Sequence, residues 1–140
     1  RVFNVFGPRQ DPNSAYAAAV PIFIDKALRN EPITIYGDGE QTRDFVFVKD
    51  IAAANAFLAT NPELSGVYNV GYGQQISINA LAHLILKVTG STSEIHHNPT
   101  RPGDVKHSLA SANKLFHTGF KPKYDFESGL RETLDSFQKA

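Results

Sequence analysis

The sequence predicts a mixed helix-and-strand fold, α/β or α+β, on three observations. Apolar stretches with helical spacing alternate with short runs rich in Val, Ile and Phe. Turn signals such as Gly7-Pro8, Gly37-Asp38-Gly39 and Asn61-Pro62 separate them. The chain has 140 residues, enough for one domain with its own core. The strands are too short and scattered for a complete doubly wound sheet, which predicts a partial fold.

Residues 1–6 are rich in Val and Phe and predict a strand that Gly7-Pro8 breaks. The chain has no methionine and starts in the middle of this run, so we expect a piece of something longer. Residues 9–14 are polar and predict a loop. Ala15 to Leu28 predicts a helix with Ile22, Phe23, Ala27 and Leu28 buried and Pro21 in its first turn or at a kink. Asn30-Glu31-Pro32 ends it.

The stretch Ile33 to Val48, ITIYGDGEQTRDFVFV, reads as strand, tight turn, charged cluster and strand. Such a hairpin would hold Arg43 in a fixed place. Asp50 is expected to cap a helix burying Ile51, Ala54, Phe57 and Leu58, stopped by Asn61-Pro62. Gly66 to Val70 predicts a short β run closed by Gly71-Tyr72-Gly73. Ser77 predicts the cap of an amphipathic helix with Ile78, Leu81, Leu84, Ile85 and Val88 inward and Gly90 at its end. A short strand over Ser93–His97 and a Pro/Gly loop over Asn98–Val105 follow. Ser111 is read as the cap of a short helix, and Asp125 as the cap of a last helix carrying Phe126, Leu130, Leu134 and Phe137 on one face.

Composition excludes more than it suggests. Hydrophobic content of 41%, charged content of 20% and a formal net charge of zero are ordinary for a globular protein. They give no sign of a nucleic-acid or membrane partner. With no cysteine there is neither a disulfide nor a thiolate metal site. His83, His96, His97, His107 and His117 form no metal-ligand spacing, and His96 and His97 would face opposite sides of a strand. Gly37-x-Gly39 and Gly71-x-Gly73 lack the third glycine of a dinucleotide fingerprint and read as turns. No serine lies in G-x-S-x-G. The carboxylate pairs Asp38 with Glu40 and Asp125 with Glu127 sit at turn or cap positions.

What remains is a set of polar residues beside apolar strands. Asn4 is either a ligand-facing amide or a turn asparagine. Arg43 either grips an anion or pairs with Asp44. Arg101-Pro102-Gly103-Asp104 is either a second anion site with a carboxylate or a solvated loop. Two planar cationic forks, an amide and a carboxylate would together suit a diphosphate with its ribose.

Taken in order, RVFNVFGPRQDP, ITIYGDGEQTRDFVFVKDI, GVYNVG and RPGDVKHS resemble the C-terminal half of the extended short-chain dehydrogenase/reductase family. Within it they are most similar to nucleotide-sugar 4-epimerases of the UDP-glucose/UDP-N-acetylglucosamine type. The resemblance covers nearly the whole chain. It implies an α/β fold in which residues 1–140 form one C-terminal nucleotide-sugar-binding domain, a small mixed α/β domain plus one strand of the Rossmann sheet. The NAD-binding Rossmann half would lie upstream and supply the catalytic Ser/Thr and the Tyr-x-x-x-Lys pair. Here Tyr16, Tyr36, Tyr68, Tyr72 and Tyr124 are followed four places on by Val20, Glu40, Tyr72, Ile76 and Ser128, never by Lys.

The resemblance also implies roles. Phe3 would lie near the nicotinamide of NAD, and Asn4 would donate to a substrate phosphate. Thr34, Ile35 and Tyr36 would run beside the uracil, with Tyr36 as its aromatic wall. Arg43 and Arg101 would grip the diphosphate, and Asp104 would take the ribose hydroxyls. Ala18 and Ala19 would contact the nucleotide, and Gln10 the sugar. Ser108 occupies a gatekeeper position where a small residue goes with N-acetylhexosamines and a bulky Tyr with plain hexoses.

The implied reaction is interconversion of UDP-hexoses by transient oxidation at C4, with these 140 residues binding substrate but inactive alone. Related 4,6-dehydratases and UDP-glucuronate decarboxylases are the nearest rivals, and Asp44 leans toward the epimerase. A non-catalytic nucleotide-sugar-binding module is the alternative from another class. We further expect a cytoplasmic protein, self-association of the isolated chain, and a homodimer for the intact enzyme.

Overall fold

The computed structural model describes residues 1–14, 18–109 and 111–139. Along the chain lie β1 (Val5–Phe6), α1 (Ala19–Leu28), β2 (Ile33–Tyr36), β3 (Thr42–Arg43), β4 (Val46–Phe47) and α2 (Val48–Ala59). They are followed by β5 (Ile76–Ser77), α3 (Ile78–Thr89), β6 (Ile95–Asn98), α4 (Asn113–Phe116) and α5 (Phe126–Lys139). The fold is α/β. Its strands form three two-stranded sheets: β1 with β4 and β2 with β6, both parallel, and β3 with β5, antiparallel.

The stretch Ile33 to Val48 is therefore not a hairpin. Its three strands each pair with a different partner, two of them from beyond residue 70. Parallel pairing explains why the sequence misled. A parallel partner needs a crossover and cannot be the next strand after a tight turn.

β4 is the wall between two cores. Successive strand residues point to opposite faces. Phe47 packs on one side with Phe6, Phe45, Phe126 and the buried faces of α1, α3 and α5. Val46 packs on the other with Ile51, Ala54, Tyr68, Val70, Leu115 and Phe120. Phe47 stacks at tilted angles on Phe6 (5.5 Å between ring centres) and Tyr124 (4.6 Å), contacts worth about 0.5–1.5 kcal/mol each beyond their area.

The strand predicted over residues 1–6 is interrupted. Asn4 adopts φ 46°, a left-handed conformation that Asn tolerates better than most residues, so only Val5–Phe6 join the sheet while Val2 bridges Val70. That bridge is all that remains of the β run expected over Gly66 to Val70. In α1, Phe23 and Ala27 are buried as expected, joined by Val20, Pro21 and Ile24, while Ile22 and Leu28 are half-buried. Pro21 lies in the first turn, where its missing N–H costs nothing. Part of the predicted helix, residues 15–17, lies outside the described residues.

Three caps behave differently. Ser77 accepts from the Ala80 amide at 3.0 Å and Gly90 closes α3 at φ 67°, as expected. Asp125 caps α5 reciprocally: it accepts from the Ser128 amide at 2.8 Å, and the Ser128 hydroxyl accepts from its own amide at 3.0 Å. Asp50 does not cap α2, whose N-cap is Phe47. It is buried in the first turn and accepts the amides of Lys123 (2.8 Å) and Tyr124 (3.2 Å), a demand set by chain 73 residues away. Ser111 does not cap α4 either. Ala112 holds that position without a side-chain bond.

Candidate functional site

One cavity of about 440 Å³ opens between α1, β2 and the segment that follows β6. That size is within the usual range for a small-molecule site. The outward face of α1 lines it with Ala18, Ala19, Ile22, Phe23 and Lys26, residues three to four apart along the helix. Ala18 and Ala19 leave room where larger side chains would fill it. β2 contributes Thr34, Ile35 and Tyr36, β3 contributes Arg43, and Asn4 enters from its left-handed bend. Arg101 and Asp104 complete the rim. A smaller cavity of about 200 Å³ adjoins it and shares Tyr36, Gln41 and Asp104.

The polar groups are held by the local fold. Arg43 is mostly buried along its side chain, with 17% exposed. Its Nη1 donates to the Thr42 carbonyl at 2.7 Å, and its Nη2 lies 3.7 Å from an oxygen of Asp104. The local pairing with Asp44 does not form. Asp44 turns inward and accepts the amides of Tyr72 (3.2 Å) and Gly73 (2.9 Å). Burial raises the Asp44 pKa above its ordinary value, and the Gly73 and Tyr72 amides pull it back down.

Tyr36 and Arg101 form the other contact across the cavity. The guanidinium carbon lies 3.7 Å from the Tyr36 ring centre, a cation–π stack. Gln41 fixes the Tyr36 end, since its Nε2 donates to the Tyr36 carbonyl at 2.9 Å. The Gly37-Asp38-Gly39 turn beyond it needs glycine twice: φ is 91° at Gly37 and 79° at Gly39. A Cβ on Gly37 would sit 2.9 Å from the Thr100 hydroxyl, and one on Gly39 would collide with the Asn79 amide. Asn79 in turn donates to the Asp38 carbonyl (2.9 Å) and to Glu40 (2.8 Å). The Asp38 pKa is lowered, first by the Glu40 amide and then by Lys106. The acidic residues of the turn are thus structural.

Among the expected site residues, Asn4, Ala18, Ala19, Thr34, Ile35, Tyr36, Arg43, Arg101 and Asp104 line the same cavity. Phe3, Gln10 and Ser108 do not line it. Phe3 is half-buried ahead of β1. Gln10 donates to the Val5 carbonyl at 3.4 Å, and its buried Oε1 has no hydrogen-bond partner among the described residues. Ser108 is half-buried, with its amide bound to the Thr42 carbonyl at 3.1 Å. Sequence reasoning missed Gln41, Lys26 and Asn79. Gln41 lay inside a quoted motif and could have been found. Nothing in the sequence pairs Asn79 with a turn about forty residues upstream.

Among the described residues no group of three or more His, Asp or Glu is placed to hold a metal ion. Nor is any helix there long and apolar enough to cross a membrane.

Comparison with known proteins places these features in context. A model of the NAD dependent epimerase/dehydratase family matches residues 1–71. The UDP-N-acetylglucosamine 4-epimerase of Methanobrevibacter ruminantium, solved with UDP-N-acetylmuramic acid, is 49% identical with a TM-score of 0.92, over 99% of this chain and 45% of that one. The UDP-glucose 4-epimerase of Thermotoga maritima, solved with UDP-glucose, is 40% identical with a TM-score of 0.91, over 99% and 45%. UDP-glucuronic acid decarboxylase 1 of Xenopus tropicalis is 36% identical over 141 residues, 99% of this chain and 32% of its own length. The chain spans less than half the length of these relatives.

Proposed function

The chain belongs to the NAD dependent epimerase/dehydratase family of extended short-chain dehydrogenases/reductases, and from that premise we propose that it is the nucleotide-sugar-binding part of a UDP-hexose 4-epimerase. The observation that carries the reading is one cavity lined by Arg43, Arg101, Asn4, Asp104 and Tyr36. Each has a use for a nucleoside diphosphate. The two guanidinium groups match phosphate oxygens as planar forks. The Asn4 amide can donate to a phosphate, the Asp104 carboxylate can accept from ribose hydroxyls, and the Tyr36 ring offers a face for the base.

In this reading the chain's task is retention. Holding the diphosphate and the base fixes the nucleotide while the sugar is free to present either face. Binding energy far from the reacting carbon then keeps a reactive intermediate bound. The residues present do not form a dinucleotide site. Gly37 and Gly39 are committed to a turn packed on Thr100 and Asn79, and no G-x-G-x-x-G exists in the sequence. No step through NAD is assigned to these residues, and we expect the 140-residue chain alone to bind substrate without turning it over.

The 49% identity to a UDP-N-acetylglucosamine 4-epimerase favours N-acetylhexosamines as the sugar; Ser108, outside the cavity, adds no support to that choice. A cytoplasmic location belongs to the same reading. Self-association of the isolated chain belongs to the same reading. The homodimer of an intact enzyme rests on the family alone.

Calorimetric titration of the chain with UDP-GlcNAc and UDP-glucose tests the reading. Both should bind, UDP-GlcNAc more tightly. Arg43→Ala should weaken both by about ten- to a hundredfold, the usual worth of a hydrogen bond to a charged group. Unchanged affinity in Arg43→Ala would remove the diphosphate role. Epimerisation by these residues alone would remove the retention-only role. Tighter binding of UDP-glucuronate, titrated as a third ligand, would point to the decarboxylase branch.

A further inference from the structure

We propose that Arg101 is a displaceable plug on Tyr36, so that the site selects ligands carrying both an aromatic base and a diphosphate. The inference rests on the nucleotide reading above and concerns how its two ends are coupled.

The guanidinium of Arg101 lies 3.7 Å from the Tyr36 ring centre, as close as a stacked base would lie. Tyr36 borders both cavities, whereas Arg101 lines the larger alone. The stack therefore lies at the larger cavity, which both residues line. A base cannot stack there while the guanidinium stays. An anion alone cannot recruit Arg101 without losing the stack. A ligand with both parts resolves the conflict, because its base replaces the guanidinium on the ring and its diphosphate receives the released charge.

The segment can make this movement. Residues 96–107 are all exposed. Gly103 sits at φ 81° with open space where a Cβ would point, so the backbone between Arg101 and Asp104 is not wedged. The Asp104 amide holds the Arg101 carbonyl at 3.3 Å, which keeps the turn while the side chain swings. Arg43 shows the same pattern. Its charge is shared with Asp104 at 3.7 Å until a stronger anion arrives.

The test titrates wild type, Tyr36→Leu and Arg101→Gln with uridine, inorganic pyrophosphate and UDP at one ionic strength. Removing the ring frees Arg101, so Tyr36→Leu should bind pyrophosphate about two- to fivefold more tightly than wild type, the worth of an exposed cation–π contact. Removing the guanidinium uncovers the ring, so Arg101→Gln should bind uridine more tightly by a similar factor while losing affinity for pyrophosphate. Circular dichroism checks that each variant folds. If Tyr36→Leu does not, the uridine result with Arg101→Gln decides alone. UDP binding to wild type with no gain in either variant overturns the plug and leaves the nucleotide reading standing. No UDP binding to wild type overturns both.

Discussion

Arg43 and Asp44 are neighbours in the chain and serve opposite sides of it. The arginine reaches into the cavity, 3.7 Å from Asp104, while the aspartate is buried at 1% exposure and binds the amides of Tyr72 and Gly73. One residue faces the cavity and the next anchors the loop behind it.

That division has a pH signature. Burial raises the Asp44 pKa above its ordinary value of 3.8. A carboxyl raised in the folded state contributes stability fully present below its unfolded pKa and lost as pH rises through the folded one. The stability of wild type minus that of Asp44→Asn should therefore fall as pH rises from 3.8 through the raised value. Urea denaturation at several pH values measures it. A difference that grows with pH would contradict the burial account.

Tyr72 links two buried demands. Its hydroxyl donates to Asp50 at 2.5 Å and accepts from the Phe47 amide at 3.2 Å. Burial first, and then the bond to Asp50, raise the phenol pKa, so it stays protonated across the physiological range. Tyr72→Phe should cost about 1–3 kcal/mol, because the Phe47 amide loses this acceptor and the buried Asp50 oxygen is left with the Tyr124 amide alone. A loss below a few tenths would mean that water replaces the hydroxyl.

Gly129 sets two general rules against each other. Replacing a mid-helix glycine by alanine ordinarily gains up to about 1 kcal/mol. Here the new Cβ would lie 2.8–3.0 Å from the ring and Cβ of Phe47. Phe47 is fully buried in its core, with Phe6 and Tyr124 against its ring. We expect Gly129→Ala to cost about 1–3 kcal/mol, the range for overpacking. A rise in Tm would show that α5 can shift outward.

The Asp125 cap should fail in acid. Its carboxyl is held below its ordinary value of 3.8, chiefly by the Ser128 amide. A depressed carboxyl contributes stability present above the unfolded pKa and lost as pH falls through the folded one. Asp125→Ala should cost about 1 kcal/mol at pH 7, and the gap to wild type should close below 3.8. A gap that persists at low pH would assign the cost to something other than the charged cap.

The parts that were legible in the sequence are those with local causes. Ser77, Gly90 and Asp125 act within one helical turn of themselves, and the sequence marked all three. Most of the cavity's polar set was legible too, through the resemblance of its four segments. The failures share a different cause. Asp50 looked like a cap until Lys123 and Tyr124 claimed it. The Ile33–Val48 hairpin does not form because β2, β3 and β4 pair instead with β6, β5 and β1, strands distant in the chain. The Arg101–Tyr36 stack joins residues that no local rule brings together.

Spreading β2, β3 and β4 over three sheets also has a kinetic consequence. The Thr42 amide bonds the Lys106 carbonyl at 2.8 Å, its hydroxyl meets His107 65 residues on, and the Gly37 amide bonds the Asn98 carbonyl at 2.7 Å. Such closures bear their entropy cost before they return any contact. The cavity should therefore assemble late in refolding, after α1 and α3 have formed. Pulse-labelled hydrogen exchange would show the amides of Gly37 and Thr42 among the last protected. A nucleotide bound there then holds the two ends of these long loops together, and UDP should slow the unfolding of the whole chain more than it speeds refolding.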